Sequence, residues 1–591
     1  MGPSSLCGLP DEILHHILSY GSASSATALE QTASRFRNVT NDPLLWRNYS
    51  QDDFRFWDPK HSIREKLAYP ASGVGWKKLY KSRRQIDIAT TESLDSILAS
   101  QTGRIEKVHR IISFGYDAKD ALLRHAAAKS DQEDFLARKY YSRAILGCLH
   151  RALAIPEWWR LRHGEDVSLQ RALGAFDMFV LDTGPGDFDD ISRYLDRIVE
   201  GLVAECPHIE GLPPRTRASS IAEYLRAKNL SGIESGREYY RIEHSFLGIA
   251  LKTEGHNSLP LISAAIYCYV AQKLGLSANP CGFPFHVHVI IRPRPGYDLD
   301  DNPLETDEDG APMYMDPFRS IEETPVSELE SQLNFLGALT LSHSTFLRES
   351  LVPEIVLRCA KNILNAMMQA PHYSHTSLDI ADVKYAALWA SMLFSEYATD
   401  HAGIGPQAQG RRQPPRRYLP SFMDHFTTNF PLDVYLVEQY LIPLFEGHPQ
   451  YSSLSDSVRL TKATDEFPKQ VRRRTLEHQN VIYRVGQVFR HRRYGYMAAV
   501  IGWDAECGAA EDWMQTMGID RLRAGRHQSF YHALVEDKSV RYVAEENIEI
   551  LQPDISSIPT ALVNLAGKYF KRWDRSTSRF VSNIRDEYPD D

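Results

Sequence analysis

Cysteine is scarce in this chain of 591 residues, with seven at positions 7, 148, 206, 268, 281, 359 and 507. They form no CxxC pair and no Cys/His spacing of the zinc type, which excludes a disulfide scaffold and a zinc finger. Reduced thiols in a cytoplasmic and/or nuclear protein are the expectation. Long apolar runs are missing too: the longest, Ile262 to Ala271, falls far short of the roughly 20 residues a membrane-spanning helix needs. The opening residues MGPSSLCGLPDEILHHIL lack the basic start and apolar core of a signal peptide. No membrane partner is expected. There is also no basic excess: 67 Lys+Arg stand against 76 Asp+Glu, a net charge of -9. The chain as a whole is therefore no polyanion binder, and any nucleic-acid contact must be local. No repeat with a period of 20 to 50 residues is found, which excludes a solenoid.

What is present is ordinary folding material, 43% hydrophobic, 24% charged and 10% aromatic. At roughly 150 residues per domain, several folded units are required. Composition and periodicity divide the chain into a short helical unit (1–55), a helical connector (56–110), a central region (111–400), a linker with helices (401–475), a strand-rich module (476–555) and a tail (556–591). Arg292 to Pro312 carries seven acidic residues between Asp298 and Asp309 and enough breakers to be an exposed loop. Within it Glu305 to Gly310, with Asp316, mimics the spacing of a calcium loop. The first position is Glu and Pro312 interrupts the loop, so a solvated acidic loop is expected instead. Asp400 to Pro420, rich in Gly, Pro, Gln and Arg, reads as a linker.

At the N-terminus, Leu9-Pro10-Asp11-Glu12-Ile13-Leu14 opens a helix with Pro in its first turn and acidic residues beside the positive end of the dipole. Ile13, Leu14, Ile17 and Leu18 give it a wide apolar stripe. Ala33 to Val39 supplies a second helix, Asp42-Pro43 a turn, and Leu44 to Arg47 a third helix bearing Trp46. So small a unit cannot bury all of this apolar surface internally, which predicts a docking partner. LPDEIL, SRFRN and DPLLW, in this order, resemble an F-box, the segment that binds the Skp-type adaptor of cullin-RING ubiquitin ligases. The resemblance implies adaptor contacts from Leu9, Pro10, Ile13, Ile17, Leu18 and Trp46.

In the centre, Ser258 to Leu276 reads as a buried helix stopped by Gly275. Pro280 to Ile291 follows as a turn and a strand bearing His286 and His288, and Met313 to Phe318 as a strand ending in Asp316-Pro317. This order resembles the SirB-type transglutaminase-like domain, a papain-like α+β fold. In active members a Cys at the helix start is the nucleophile, His its base and Asp the group that orients the His. Here His286 and Asp316 match, but His256, Asn257, Ser258, Leu259 and Pro260 stand around the helix start, and none is Cys. Cys268 lies about two turns further in, beyond the help of the dipole. The expectation is a pseudoenzyme without cofactor, in which His286 and Asp316 are triad remnants and Ser258 is the only local substitute nucleophile. His286 and His288 share a strand face, but no third ligand is spaced with them, so no metal is expected.

Val485 to Asp504 and Gln528 to Ile548 hold four or five short strands, the pattern of a small all-β, SH3-like barrel. VGQVFRHRRYGY, FYHALVED and RYVAEENI resemble the YccV-like domain, a family named for binding hemimethylated DNA. Residues 480–550 contain nine Lys+Arg and ten Asp+Glu, without the basic excess of a phosphate-tracking surface. Arg490, His491, Arg492, Arg493, Tyr494 and Tyr496, with Arg521, Arg523 and Arg526, form a local basic edge for an acidic peptide or for DNA.

The whole chain is thus read as multidomain α+β: a helical F-box, a mostly α transglutaminase-like centre and a C-terminal barrel. It resembles the F-box-only proteins of this architecture, in a form similar to fungal members. That implies a substrate-recognition subunit of a Skp-cullin-F-box ligase, with an adaptor, a cullin reached through it and a protein substrate as partners. The alternatives are a DNA-binding, chromatin-associated protein acting through the YccV-like module, and a residual transglutaminase- or protease-like enzyme.

Overall fold

The computed structural model describes residues 6–234, 238–305, 310–338, 343–369, 376–397 and 417–591. Most of the acidic calcium-loop mimic (306–309) and of the expected linker (400–416) lies outside the described residues. The chain forms two compact units: one joins Met1–Leu149 to Lys462–Asp591, and the other is His150–Thr461. The first unit thus joins the N-terminal helical module to the C-terminal one.

In that first unit α1 (Asp11–Ser19), α2 (Ala23–Glu30), α3 (Ser34–Thr40) and α4 (Pro43–Asp53) form the N-terminal bundle. Ser22 caps α2 and Asp42 caps α4 through side-chain oxygens that accept backbone N–H groups, and Pro43 stands where its missing N–H costs nothing. The stripe of α1 splits in two. Leu14 and Leu18 are buried at 1% and 6% exposure, whereas Ile13 and Ile17 stay 46% and 49% exposed. Trp46, 1% exposed, donates from Nε1 to the Thr40 carbonyl at 2.5 Å and meets the Tyr80 ring edge-on at 5.2 Å. Leu18 and Trp46 therefore belong to the module's own core and are not surface contacts. A large apolar side chain gains most where its polar atom also finds an internal partner.

Trp76 and Tyr80 sit on α5 (Trp76–Ala99), so the connector completes the bundle's core rather than merely following it. Its Arg83 is fully buried and faces three carboxylates: Asp87 at 3.3 Å, Asp117 at 3.4 Å and Asp120 at 2.9 Å. The guanidinium also lies 4.6 Å over the Phe54 ring. Asp120 accepts the backbone N–H of Phe56 at 3.1 Å and Asp117 that of Asp58 at 3.0 Å. One buried cation thereby ties the exit of the F-box segment to the helices behind it.

The second unit is mostly helical. α6 (Leu169–Val180), α7 (Pro260–Lys273), α8 (Val352–Gln369) and α9 (Ile380–Phe394) pack around one another. Every residue of α7 from Pro260 to Ala271 is buried, which accounts for its lack of a polar face. Beside it lies a three-stranded antiparallel sheet in the order β1 (Ser277–Pro280), β2 (Val289–Arg292), β3 (Met313–Met315).

The C-terminal module is a five-stranded antiparallel sheet, in the order β7-β6-β5-β4-β8, built from β4 (Val488–His491), β5 (Met497–Asp504), β6 (Phe530–Val535), β7 (Val540–Ala544) and β8 (Ile548–Ile550). The expected tail is instead folded. α10 (Thr560–Ala566) and the hairpin β9 (Phe570–Asp574) and β10 (Arg579–Ser582) place Leu562, Phe570, Phe580 and Tyr588 in the same core as Val488, Trp503 and Tyr531. Tyr and Phe spaced through an otherwise polar segment supply enough apolar area to pin it down. At Gly567 a Cβ would stand 2.1 Å from the Leu136 carbonyl oxygen, so only glycine lets the module seat against the helix that begins at Phe135.

Arg83→Met should lower stability by about 3–5 kcal/mol, because it removes the ion pair of Asp120 and the fully buried cation that Asp87 and Asp117 share with it. Arg84→Met, which removes an exposed partner of Asp87, should cost less than about 1 kcal/mol. Urea denaturation of the two variants checks the difference, and equal midpoints would refute the hub.

Candidate functional site

The register of the central sheet builds a site at its end. Val289 pairs with both Pro280 and Met315, so His288, one residue before Val289, comes level with Asp316, one residue after Met315. The Cys281 N–H donates to the His288 carbonyl at 2.8 Å and extends the ladder by one step. His286 Nε2 lies 2.9 Å from Asp316 Oδ2. His286, His288 and Asp316 are all buried. Phe285, immediately before His286, holds a left-handed φ of 65° and is 73% exposed, a strained position for a bulky residue.

Asp316 Oδ1 also accepts the backbone N–H groups of Phe318 at 3.2 Å and Arg319 at 3.3 Å. Burial pushes its carboxyl up, but the close His286 and the charges of His286, His288 and Arg319 outweigh that and hold it below its ordinary value. Burial pushes His288 down to about 4, so that ring is neutral near pH 7. Sequence spacing placed two histidines on one strand and found no third ligand. The antiparallel return of β3 brings Asp316 beside them, and the three side chains carry one potential donor atom each, all within 4.8 Å of one another.

Among the described residues no nucleophile is prepared beside this group. Cys268 is fully enclosed in α7, and desolvation pushes its thiol well above the ordinary range. Cys281 is likewise pushed up to about 12, mainly by burial. The Ser258 hydroxyl, buried at the start of α7, pairs with the Ser263 hydroxyl at 2.7 Å. Its described partners include no base.

The C-terminal module carries a cavity of about 750 Å³ lined by Tyr494, Tyr496, Trp513, Phe530, Tyr542 and Arg493, among others. Asp504 stands in its wall and accepts the Tyr542 hydroxyl at 2.7 Å, with His532 at 3.3 Å and Arg472 alongside. Burial pushes the Asp504 carboxyl up, yet these three partners hold it far below the usual carboxylate range. Arg493 and the two tyrosines were legible in the sequence. Trp513, Tyr542 and Asp504 were not, because two strands and a short helix bring them together.

The expected basic edge is only partly formed. Arg490, Arg492, Arg493 and Tyr494 are exposed. Arg526, however, is paired with Glu511 at 3.0 Å and Asp520 at 2.7 Å. His491 is buried, and its Nδ1 accepts the backbone N–H groups of Arg493 and Tyr494 at 3.2 Å each. Desolvation and two nearby arginines push its pKa down. It is a turn-forming acceptor and not part of a cationic surface.

Three family models match in the order of these modules: "F-box-like" over residues 6–52, "Transglutaminase-like superfamily" over 189–361 and "Hemimethylated DNA-binding protein YccV like" over 481–577. The chain carries F-box-like, transglutaminase-like and YccV-like domains. Along its whole length it is similar to "F-box only protein 21" of Mus musculus, at 25% identity, and of Homo sapiens, at 24% identity; in both cases the match covers 100% of this chain and 93% of the relative. No solved structure matches. Among the described residues no helix is long and apolar enough to cross a membrane.

The transglutaminase-like unit holds a second cavity, of about 460 Å³, lined by Asp177, His244 and Lys252 among others. Asp177 Oδ1 accepts the Ile249 N–H at 3.0 Å, while Oδ2 has no hydrogen-bond partner among the described residues. Burial pushes this carboxyl up to about 7. Its folded pKa exceeds its unfolded value of about 3.8, so its contribution to stability is full below pH 3.8 and fades as pH rises through 7. Asp177→Asn, which keeps one acceptor and removes the charge, should therefore gain on the native chain as pH rises from 4 to 8, by up to about 4 kcal/mol. Melting temperatures measured across that range check this, and a pH-independent difference would contradict it.

Proposed function

We propose that the chain is the substrate-recognition subunit of a Skp-cullin-F-box type ubiquitin ligase. The F-box docks the adaptor, a cullin is reached through that adaptor, and the other domains hold a protein substrate. The observation that carries this reading is the division of α1: Leu14 and Leu18 complete the module's core, while Ile13 and Ile17, one turn apart on the same helix, are left half exposed together with Leu6 and Leu44. Apolar side chains that a folded module leaves in solvent on one helix face are what a partner's groove needs. The similarity to F-box only protein 21 supports the same assignment.

In this reading the chain performs no chemistry of its own. Ligation is promoted by holding a substrate near a charged ubiquitin carrier, which raises effective concentration rather than lowering a bond-making barrier directly. The transglutaminase-like unit is read as a pseudoenzyme, on the support of a His286–Asp316 pair without an activated thiol or hydroxyl. The aromatic cavity of the YccV-like domain is the proposed substrate site, since tyrosines, a tryptophan and an arginine at its mouth suit a peptide side chain. The cytoplasm or nucleus, where thiols remain reduced, is the proposed place of action.

An Ile13→Asp, Ile17→Asp double variant should keep its far-UV circular dichroism and lose at least about tenfold in affinity for a purified Skp-type adaptor. Leu9→Ala and Pro10→Ala test the neighbouring contacts. A native chain that fails to bind the adaptor would overturn the reading.

DNA is the competing ligand for the C-terminal domain. With Arg526 neutralised and His491 uncharged, anisotropy of a hemimethylated duplex should show only weak binding that Arg490→Gln, Arg492→Gln and Arg493→Gln together barely change. A log-affinity against log-salt slope near about −3 that collapses in this triple variant would instead establish three phosphate contacts.

A further inference from the structure

The end of the three-stranded sheet has the form of a ligand set. His286 Nε2 comes within 2.9 Å of Asp316 Oδ2, yet Nε2 is buried and has no aligned hydrogen-bond partner among the described residues. An orienting dyad would place the carboxylate along the axis of the ring N–H. Here the contact is short but does not meet hydrogen-bond geometry. His288 joins them with its ring centroid 5.1 Å from that of His286. Its Nδ1 donates to the His286 carbonyl at 3.3 Å, which leaves the Nε2 lone pair as the free donor atom and fixes the ring, as second partners of metal-bound histidines do. The rings of Phe283 and Phe318 stand 5.0 Å and 5.7 Å from His288 and His286 and shield the group from solvent on those sides.

We propose that His286, His288 and Asp316 form a binding site for one divalent transition ion of the zinc type. Two imidazole nitrogens and one carboxylate oxygen suit a borderline dication better than magnesium or calcium, which prefer all-oxygen sets. Three protein ligands leave the fourth tetrahedral position open to a water or to a group presented by a partner. Donors held about 2.1 Å from a common ion stand roughly 3.4 Å apart. His286 and Asp316 already stand 2.9 Å apart and all three donors lie within 4.8 Å, so small side-chain rotations bring the set to that spacing. The strain at Phe285, next to His286, is then a cost of aiming that ring into the cluster. The site does not depend on the adaptor-binding reading.

The test uses the full chain, stripped with chelator and titrated with Zn²⁺ by calorimetry, with metal content read by mass spectrometry after dialysis. The native chain should retain one equivalent, and His163→Gln, an exposed histidine of the same unit, should retain it too. His288→Gln and Asp316→Asn should each weaken binding by at least about 100-fold, more than the loss of a second partner would. Should either variant unfold, Co²⁺ bound to the native chain should give the intense visible bands of a tetrahedral site, and zinc-edge absorption should count two imidazoles. No retained zinc, zinc binding unchanged in folded His288→Gln, or an absorption spectrum without two imidazoles would each overturn the proposal.

Discussion

A single buried guanidinium organises the unit that carries the adaptor-facing module. Arg83 is out of solvent among Asp87, Asp117 and Asp120, an arrangement in which desolvation consumes most of the Coulomb attraction. What it confers is geometry. Asp117 and Asp120 also accept backbone N–H groups from Phe56 and Asp58, so the chain leaving the F-box is held in one path. Further along, the Gln101 N–H donates to Asp586 at 2.9 Å, the Ile105 N–H to Asp465 at 2.9 Å and the Tyr141 hydroxyl to the Lys568 carbonyl at 3.0 Å. The F-box and the YccV-like domain are thereby built into one compact unit, although more than 400 residues of chain separate them. In the proposed receptor role such a joint is an advantage, because flexibility between docking and binding ends dilutes effective concentration.

The transglutaminase-like unit brings His286 and Asp316 together at its strand ends, and among the described residues no activated thiol or hydroxyl stands beside them. The start of α7 carries Ser258, Leu259 and Pro260, all buried, and the Ser258 hydroxyl is paired with that of Ser263. The two histidines and the aspartate are nevertheless buried together, and buried ionisable groups are costly unless something compensates them. Asp316 already has His286, His288, Arg319 and two backbone N–H groups, and the proposed metal ion would add to that compensation.

In the C-terminal domain charge balance by count and charge balance in space differ. Nine cations against ten anions would permit a basic edge if the anions lay elsewhere, but Glu511 and Asp520 close on Arg526, and Asp537 pairs with Arg541 at 2.7 Å. Arg541 also covers the Tyr496 ring at 4.2 Å. What remains open is an aromatic cavity with Arg493 at its rim, together with the exposed Arg490 and Arg492; the cavity itself suits a side chain better than a phosphate backbone.

The residues alone determined the three modules, because each rests on local signals: the acidic, Pro-led start of α1, the apolar run of α7 broken by Gly275, and the alternating strands around Gly495 and Asp537. They also determined that His286 and Asp316 belong together, through the order of a known domain. Tertiary structure decided the rest. Helical periodicity gave α1 a single stripe and could not divide Ile13 and Ile17 from Leu14 and Leu18, since which half is buried depends on where α3 and α4 pack. Spacing could not reveal a third ligand for His286 and His288, because Asp316 arrives through strand register across some 28 intervening residues. Nor could composition place the last 36 residues in the barrel's core. Aromatic residues in a polar segment are ambiguous until a complementary apolar surface is present to receive them.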